Sequence, residues 1–214
     1  MNTEVEKLNY IDFLRGIAIL MVISHHCGQS FQEESSLTFI LSFGNLGVQL
    51  FFIVSAYTLF ISGKKKSTET YTWGKFYVRR IFRVLPLYII GILYFTWQLG
   101  GIHQREWGNE IFPINIFTVI SNALLLHGLS PYTINSIVPG GWSIAAEFLF
   151  YLIFPFLFQK INSTKKALTA ICIAFILLMV LNFLLFSTPL IKEESLWGAF
   201  GYFYFPFQLP AFLV

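Results

Sequence analysis

An arginine and two adjacent histidines stand near the ends of the apolar stretch "LRGIAILMVISHH", Leu14 to His26. In an α-helix each residue turns about 100° and rises about 1.5 Å. The 11 steps from Arg15 to His26 then add up to about 20° past three full turns and to about 16 Å along the axis. His25 falls about 80° away from that face. The spacing therefore selects His26 as the histidine that shares a helix face with Arg15.

Two interpretations of this pair are open from the spacing alone. Ionisable side chains within membrane helices commonly face a bundle interior or a water-filled cavity, where they mark function, and histidine is well suited to accept a proton near neutral pH. One helix would then present a cation near one side of the membrane and a base near the other. Alternatively, Arg15 reaches the headgroups beside Asp12 and His26 lies in the opposite interface.

A second basic cluster lies in "FYVRRIFRVLPLY", where Arg79, Arg80 and Arg83 precede an apolar run. Arg79 and Arg83 are four residues apart and share a helix face, and guanidinium groups match phosphate oxygens as bidentate donors. The cluster therefore suits a phosphate-bearing ligand. Arginines at the end of a membrane helix also fix topology and contact anionic lipid, and this is the stronger interpretation of the cluster taken alone.

A carboxylate opens the apolar segment "VPGGWSIAAEFLFYLIFPFLF". The prolyl and glycyl residues break the chain, Ser143 is a good N-cap, and Glu147 is expected in the first helical turn, where the helix dipole favours a negative charge. That capping role is sufficient to explain Glu147. If this helix starts on the outer side, however, Glu147 lies at about the depth of His26 and could orient its imidazole or hold a substrate hydroxyl.

The composition is that of an integral membrane protein, with 56% hydrophobic and 12% charged residues among 214. We expect an all-α, polytopic helical protein that forms a single membrane domain over residues 1–214. The two cysteines give no disulfide framework and no metal-ligand spacing, and the small net charge of +3 shows no nucleic-acid-binding patch. The chain stops within an apolar run, so we expect it to be incomplete at its C-terminal end.

Apolar runs of about 20 residues, the length needed to cross a bilayer, predict spans near 10–29, 38–62, 84–101, 143–159, 167–187 and 199–214. A weaker run at 111–129 is interpreted as a re-entrant or interfacial segment broken by Pro113. The segment from Gly63 to Arg83 carries seven of the 14 basic residues, so the positive-inside rule places it in the cytoplasm. The N-terminus is then cytoplasmic, and the acidic segment "STPLIKEESLW" is outside.

Four stretches, in this order, resemble motifs of the acyltransferase-3 family of integral-membrane acyltransferases. "YIDFLRGIAILMVISHH" is similar to the family's first helix, in which an arginine is followed, after ten residues, by a histidine. "FFIVSAYTLF" resembles the second-helix motif, with Ser55-Ala56 in place of the usual Ser-Gly. "RRIFRVLPLY" resembles the cytoplasmic arginine motif, and "WSIAAEFLFYLIFP" resembles a motif that matches here at Trp142, Ser143, Glu147, Phe150, Tyr151 and Pro155.

The resemblance implies a bundle of about ten membrane helices, of which six or seven apolar segments are present here, in the cell membrane. It implies an acyl-CoA donor, such as acetyl-CoA, bound from the cytoplasm by Arg15, Arg79, Arg80 and Arg83, with no metal. The acyl group would pass to a hydroxyl of a surface polysaccharide or lipid-linked glycan. His26 would act as general base or transient acyl carrier, assisted by Glu147. The competing hypotheses are an inactive fragment of such an enzyme and a non-catalytic, transporter-like bundle.

Overall fold

The computed structural model describes residues 9–29, 31, 35–66, 73–98, 104–107 and 110–214. The chain divides into two compact units. The first comprises Met1–Lys65 with Ala211–Val214, and the second comprises Lys66–Pro210. Each unit is described by itself.

The first unit is built from three α-helices and one 3-10 helix. Helix α1 is Asn9–Gly28, α2 is Ser36–Ser42, the 3-10 helix is Phe43–Asn45, and α3 is Leu46–Lys66. Helix α2 starts at a capping box, in which the Ser35 hydroxyl accepts the Thr38 amide and the Thr38 hydroxyl accepts the Ser35 amide. Such reciprocal bonds satisfy two backbone donors that a helix start otherwise leaves open.

Close backbone contact holds α1 against the start of α3. A Cβ atom at Gly47 would lie 2.5 Å from the Ala18 carbonyl oxygen, and one at Gly44 would meet the Met21 carbonyl oxygen. Ala18 is itself only 1% exposed. Small residues at such crossings let helix backbones approach closely, so these positions set the spacing between α1 and α3.

The second unit contains most of the remaining elements, and α9 continues into the first unit. Helix α4 is followed by two strands and five further α-helices, with a second 3-10 helix at His127–Leu129. The bounds are α4 Trp73–Gln98, β1 Gln104–Trp107, β2 Glu110–Pro113, α5 Ile116–Ala123, α6 Gly141–Lys160, α7 Thr164–Ser187, α8 Glu194–Phe203 and α9 Phe205–Leu213. The strands form an antiparallel hairpin in which Gln104 pairs with Pro113 and Trp107 with Glu110.

The expected all-α membrane architecture is confirmed, with fewer spanning candidates than the hydropathy predicted. Four stretches of described helix are long and apolar enough to cross a membrane: Asn9–Gly28, Ser36–Lys64, Gly141–Lys160 and Thr164–Ser187. The predicted spans 84–101 and 199–214 are not among them. The first of these lies in α4 up to Gln98, and its last three residues lie outside the described part of the chain.

The predicted span 199–214 is divided because Pro206 interrupts the backbone hydrogen bonds. Helix α8 ends at Phe203, Tyr204 is extended, and α9 starts at Phe205. Proline has no amide hydrogen, so Pro206 cannot donate to the carbonyl four residues earlier, that of Tyr202. The side-chain amide of Gln208 donates to that carbonyl instead, at 2.6 Å. The weak run at 111–129 also contains no spanning helix, since it holds the end of β2, the 8-residue α5 and a 3-10 turn.

A buried polar network fixes the start of α6. His127 is fully buried, and its Nε2 lies 3.0 Å from the Gly141 carbonyl oxygen and 3.1 Å from the Tyr88 hydroxyl. A carbonyl oxygen only accepts, so Nε2 carries a hydrogen. The Tyr88 hydroxyl donates to Asn122 Oδ1 at 3.0 Å, so the network joins α4, α5 and the first residue of α6.

The glycines at the start of α6 are required by this arrangement. Gly140 has a φ of +75°, a left-handed conformation that glycine adopts without strain. At Gly141, a Cβ atom would lie 2.7 Å from the Tyr88 hydroxyl oxygen. The apolar core of this region consists of Tyr88, Ile92, Ile114, Leu125 and Ile137. It packs beside the start of α6, where the backbone conformation at Gly140 and the small space at Gly141 require glycine.

The network predicts a pH dependence of stability. Burial lowers the pKa of His127 below its usual 6.5, and the ring partners, a hydroxyl and a carbonyl, carry no charge. The unfolded chain binds a proton at this histidine near pH 6.5 while the folded chain does not. The stabilisation from His127 is therefore complete above pH 6.5 and is lost as the pH falls towards the lower folded-state pKa.

We expect the thermal unfolding midpoint in detergent to fall more steeply from pH 7.5 to 5.5 in the unchanged protein than in His127→Gln. Glutamine keeps a donor but does not titrate. The variant should also be less stable at pH 7.5 by about 1–3 kcal/mol, the cost of disturbing a buried hydrogen-bonded group. Parallel pH dependences in the two proteins would contradict the buried, neutral state of His127.

Candidate functional site

Arg15 and His26 lie on one unbroken helix, as the sequence predicts. Helix α1 runs continuously from Asn9 to Gly28. Arg15 Nη1 lies 3.6 Å from Asp12 Oδ1, the partner expected from the sequence, and its Nη2 donates to the Thr58 hydroxyl of α3 at 3.2 Å. Sequence reasoning missed Thr58. Arg15 is therefore held at the contact between α1 and α3 as well as by its neighbouring carboxylate.

The two histidines share one partner, Gln29, that sequence reasoning also missed. His26 is exposed, and its Nδ1 lies 3.1 Å from Gln29 Oε1. His25 is half-buried, and its Nε2 lies 3.1 Å from Gln29 Nε2. The spacings of three and four residues bring side chains together on a helix, and this signal was available in the sequence.

The central part of α6 forms a cleft with α4. Tyr151 donates its hydroxyl hydrogen to Glu147 Oε1 at 2.6 Å. The Arg80 guanidinium carbon lies 5.6 Å from the centre of the Tyr151 ring and 5.7 Å from that of Phe76, which is cation–π geometry. The cleft is narrow, with a cavity volume of about 10 Å³, and is lined by Arg80, Ile81, Val84, Leu125, Ile144, Glu147, Phe148 and Tyr151.

The expected position of Glu147 in the first helical turn is wrong. Helix α6 begins at Gly141 with Gly140 as its N-cap, and the Ser143 hydroxyl donates back to the Gly140 carbonyl at 2.8 Å rather than accepting from the backbone. Glu147 is thus the seventh residue of the helix, about 9 Å from its start. The dipole acts mainly within the first turn, so capping does not account for this carboxylate.

The structure also separates the three arginines, which the sequence treated as one cluster. Arg80 is half-buried in the cleft, whereas Arg79 and Arg83 are exposed. Arg79 donates from Nε to the Lys75 carbonyl at 3.1 Å. Arg80 thus lines the cleft together with Glu147, and Arg79 and Arg83 are not part of its lining.

The candidate residues belong to different compact units. Arg15 and His26 lie in the first unit, and Arg79, Arg80, Arg83 and Glu147 lie in the second. Ser55 and Ala56 are buried in α3, at 7% and 3% exposure, and small residues in membrane helices allow close packing. Within the described residues, no three histidine, cysteine, aspartate or glutamate side chains come together in a way that could hold a metal ion.

Similar proteins are found among curated acyltransferases. The chain is 25% identical over 173 residues to acyltransferase MdmB of Streptomyces mycarofaciens, an alignment that covers 76% of this chain and 42% of that protein. It is 28% identical to an O-acetyl transferase of Shigella phage Sf6, covering 70% and 45%. It is 26% identical to the peptidoglycan O-acetyltransferase OatA of Listeria monocytogenes, covering 68% and 23%.

The chain thus spans less than half the length of these relatives. No solved structure matches it significantly. The sequence profile of the acyltransferase domain, type 3, matches residues 8–214, which is nearly the whole chain. Because this profile matches nearly the whole chain, and the predicted motif residues lie on the helices described above, the chain belongs to the acyltransferase-3 family of membrane proteins.

Proposed function

We propose that this protein transfers an acyl group, most simply acetyl, from acyl-CoA to a hydroxyl of a cell-surface glycan. The observation that carries the proposal is the α4–α6 cleft, where a guanidinium and a carboxylate line the same narrow space between apolar walls. The relatives support it, since two are named O-acetyltransferases and one of these is named for peptidoglycan. The acceptor of this chain is then a surface polysaccharide or a lipid-linked glycan.

His26 acts on the acceptor hydroxyl. As general base it removes the hydroxyl proton while the oxygen bonds to the acyl carbon, the carbon–sulfur bond of the thioester breaks, and the CoA sulfur leaves with that proton. As acyl carrier, a ring nitrogen first bonds the acyl carbon while the carbon–sulfur bond breaks and CoA leaves as a thiolate. The acceptor oxygen then bonds the acyl carbon, the nitrogen–carbon bond breaks, and the hydroxyl proton passes to the freed ring nitrogen. Both routes need an imidazole nitrogen with a free lone pair.

Glu147 holds the acceptor in this proposal. One of its oxygens accepts the Tyr151 hydroxyl at 2.6 Å, and a carboxylate has further lone pairs that can accept a substrate hydroxyl. Because the bond to Tyr151 leaves the carboxylate fewer orientations, a hydroxyl bound to it is held at a defined place. Glu147 is thus assigned to holding a substrate hydroxyl.

Arg15, Arg79, Arg80 and Arg83 are assigned to the donor. CoA carries a diphosphate and a ribose phosphate, and guanidinium groups are the protein's matching bidentate donors. The exposure of Arg79 and Arg83 suits phosphate oxygens at the cytoplasmic surface. The location of Arg80 in the apolar cleft suits the acyl end of the donor, where a cation stabilises negative charge on the thioester oxygen.

We place the protein in the cell membrane with its N-terminus and the segment Gly63 to Arg83 in the cytoplasm. This orientation predicts different labelling of two single cysteines, Ser67→Cys and Leu190→Cys, in a chain whose Cys27 and Cys172 have been replaced. Leu190 is 77% exposed in the connection between α7 and α8. An impermeant thiol reagent on intact cells should label position 190 and spare position 67 until the cells are opened. Labelling of position 67 alone would invert the orientation.

The two histidines should differ in their importance. His26→Ala should abolish transfer of radiolabelled acetyl from acetyl-CoA to membrane glycan, because general-base or nucleophilic catalysis contributes at least about 10²-fold. His25→Ala should leave much of the activity. Both variants are compared at equal protein level by immunoblot. Equal losses at the two positions would remove the assignment of His26.

Conservative replacements separate donor binding from topology. Arg→Lys at positions 15, 79, 80 and 83 keeps the positive charge but loses the bidentate fork. Each variant should weaken acyl-CoA binding about 5- to 30-fold, as expected for loss of roughly 1–2 kcal/mol of charge-assisted hydrogen bonding, with the cysteine labelling pattern unchanged. Arg105→Lys, at the fifth and last arginine, is the matched control. Unchanged affinity in all four variants would leave these arginines with a topological role only.

A further inference from the structure

Gln29 connects the two histidines at the end of α1 through one amide group. Its Oε1 lies 3.1 Å from His26 Nδ1, and its Nε2 lies 3.1 Å from His25 Nε2. The two imidazole rings are 5.5 Å apart and inclined at 60°. One amide thus contacts one nitrogen of each ring.

The chemistry of the amide dictates which ring nitrogens carry hydrogen. An amide oxygen only accepts, so His26 Nδ1 must donate to it, and an amide nitrogen only donates, so His25 Nε2 must accept from it. A neutral imidazole carries one hydrogen. The neutral His26 ring is therefore protonated at Nδ1, and its Nε2 has a free lone pair.

We propose that Gln29 is a positioning residue that holds His26 in its Nδ1-protonated form, so that Nε2 is the nitrogen that takes the acceptor proton or the acyl group. The inference rests on the proposed function of His26 and deepens it by assigning the reacting atom. In both proposed routes the reactive nitrogen needs its lone pair, and Gln29 keeps that lone pair on Nε2.

His25 is the second partner of the amide. With its Nε2 as an acceptor, His25 receives the amide hydrogen of Gln29 at 3.1 Å. Within the described residues, α2 and the 3-10 helix supply no competing charge, because "SLTFILS" and "FGN" contain no titratable side chain. The opposite orientation of the amide would exchange the tautomers of the two histidines, so the tautomer is the quantity to measure.

The experiment combines nitrogen NMR with kinetics. The chain has four histidines, and replacing them one at a time assigns their signals in ¹⁵N-histidine-labelled protein. His26 should show hydrogen on Nδ1 in the unchanged protein and in Gln29→Glu, whose carboxylate still accepts from Nδ1. In Gln29→Leu it should shift towards the Nε2-protonated form. The value of kcat should then fall about tenfold, part of the 10²- to 10⁴-fold contribution of a general base, with KM for acetyl-CoA unchanged.

The controls separate this inference from the proposed function. Gln98→Leu, at an exposed glutamine that ends α4, should change neither tautomer nor kcat. Hydrogen on Nε2 of His26 in the unchanged protein, or a Gln29→Leu variant with unaltered tautomer and kcat, would overturn the role of Gln29 while leaving an inactive His26→Ala variant as support for the enzyme. Full activity of His26→Ala would overturn both.

Discussion

The hydrogen bond from His127 Nε2 to the Gly141 carbonyl determines where α6 begins and therefore what α6 presents to α4. With Gly141 held beside Tyr88, the antiparallel alignment brings Tyr151 to Arg80 and Phe154 to Phe76. A shift of α6 by one residue would rotate each side chain by about 100°. The carboxylate of Glu147 would then leave the cleft. A buried, uncharged polar network thus sets the register of two largely apolar helices.

The location of Arg80 illustrates how a charge is accommodated between apolar helices. Among the described residues its guanidinium has no carboxylate within ion-pair distance, and it lies against the faces of two aromatic rings. The ring faces carry partial negative charge and attract the cation. The aromatic rings thus compensate the charge without occupying the acceptor role of a carboxylate, and the guanidinium carries five N–H donors.

The sequence was sufficient for the membrane class and for the helical spacing of Arg15 and His26. These depend on composition and on helix geometry, which are local. The start of α6 could not be predicted from the sequence. Serine is a favourable N-cap residue, so Ser143 is the expected start, whereas the observed N-cap at Gly140 depends on contacts of Tyr88 and His127, which belong to other elements. The apolar run at 199–214 is also predicted as one span, because hydropathy measures only how apolar the residues are. It does not take into account that Pro206 has no amide hydrogen to donate.

The contacts at Gly44 and Gly47 show how α1 and the start of α3 can pack against each other within lipid. In lipid, two apolar helices gain no hydrophobic free energy by packing together, because the acyl chains that they displace are as apolar as their own side chains. Two kinds of contact remain among the described residues: hydrogen bonds, such as that from Arg15 to the Thr58 hydroxyl, and the close approach of the backbone at Gly44 and Gly47 to the Met21 and Ala18 carbonyls. A larger apolar side chain at either glycine would add apolar surface but would force the helices apart. The position of the helix that carries Arg15 and His26 therefore depends on two residues that lack a side chain, as well as on hydrogen bonds.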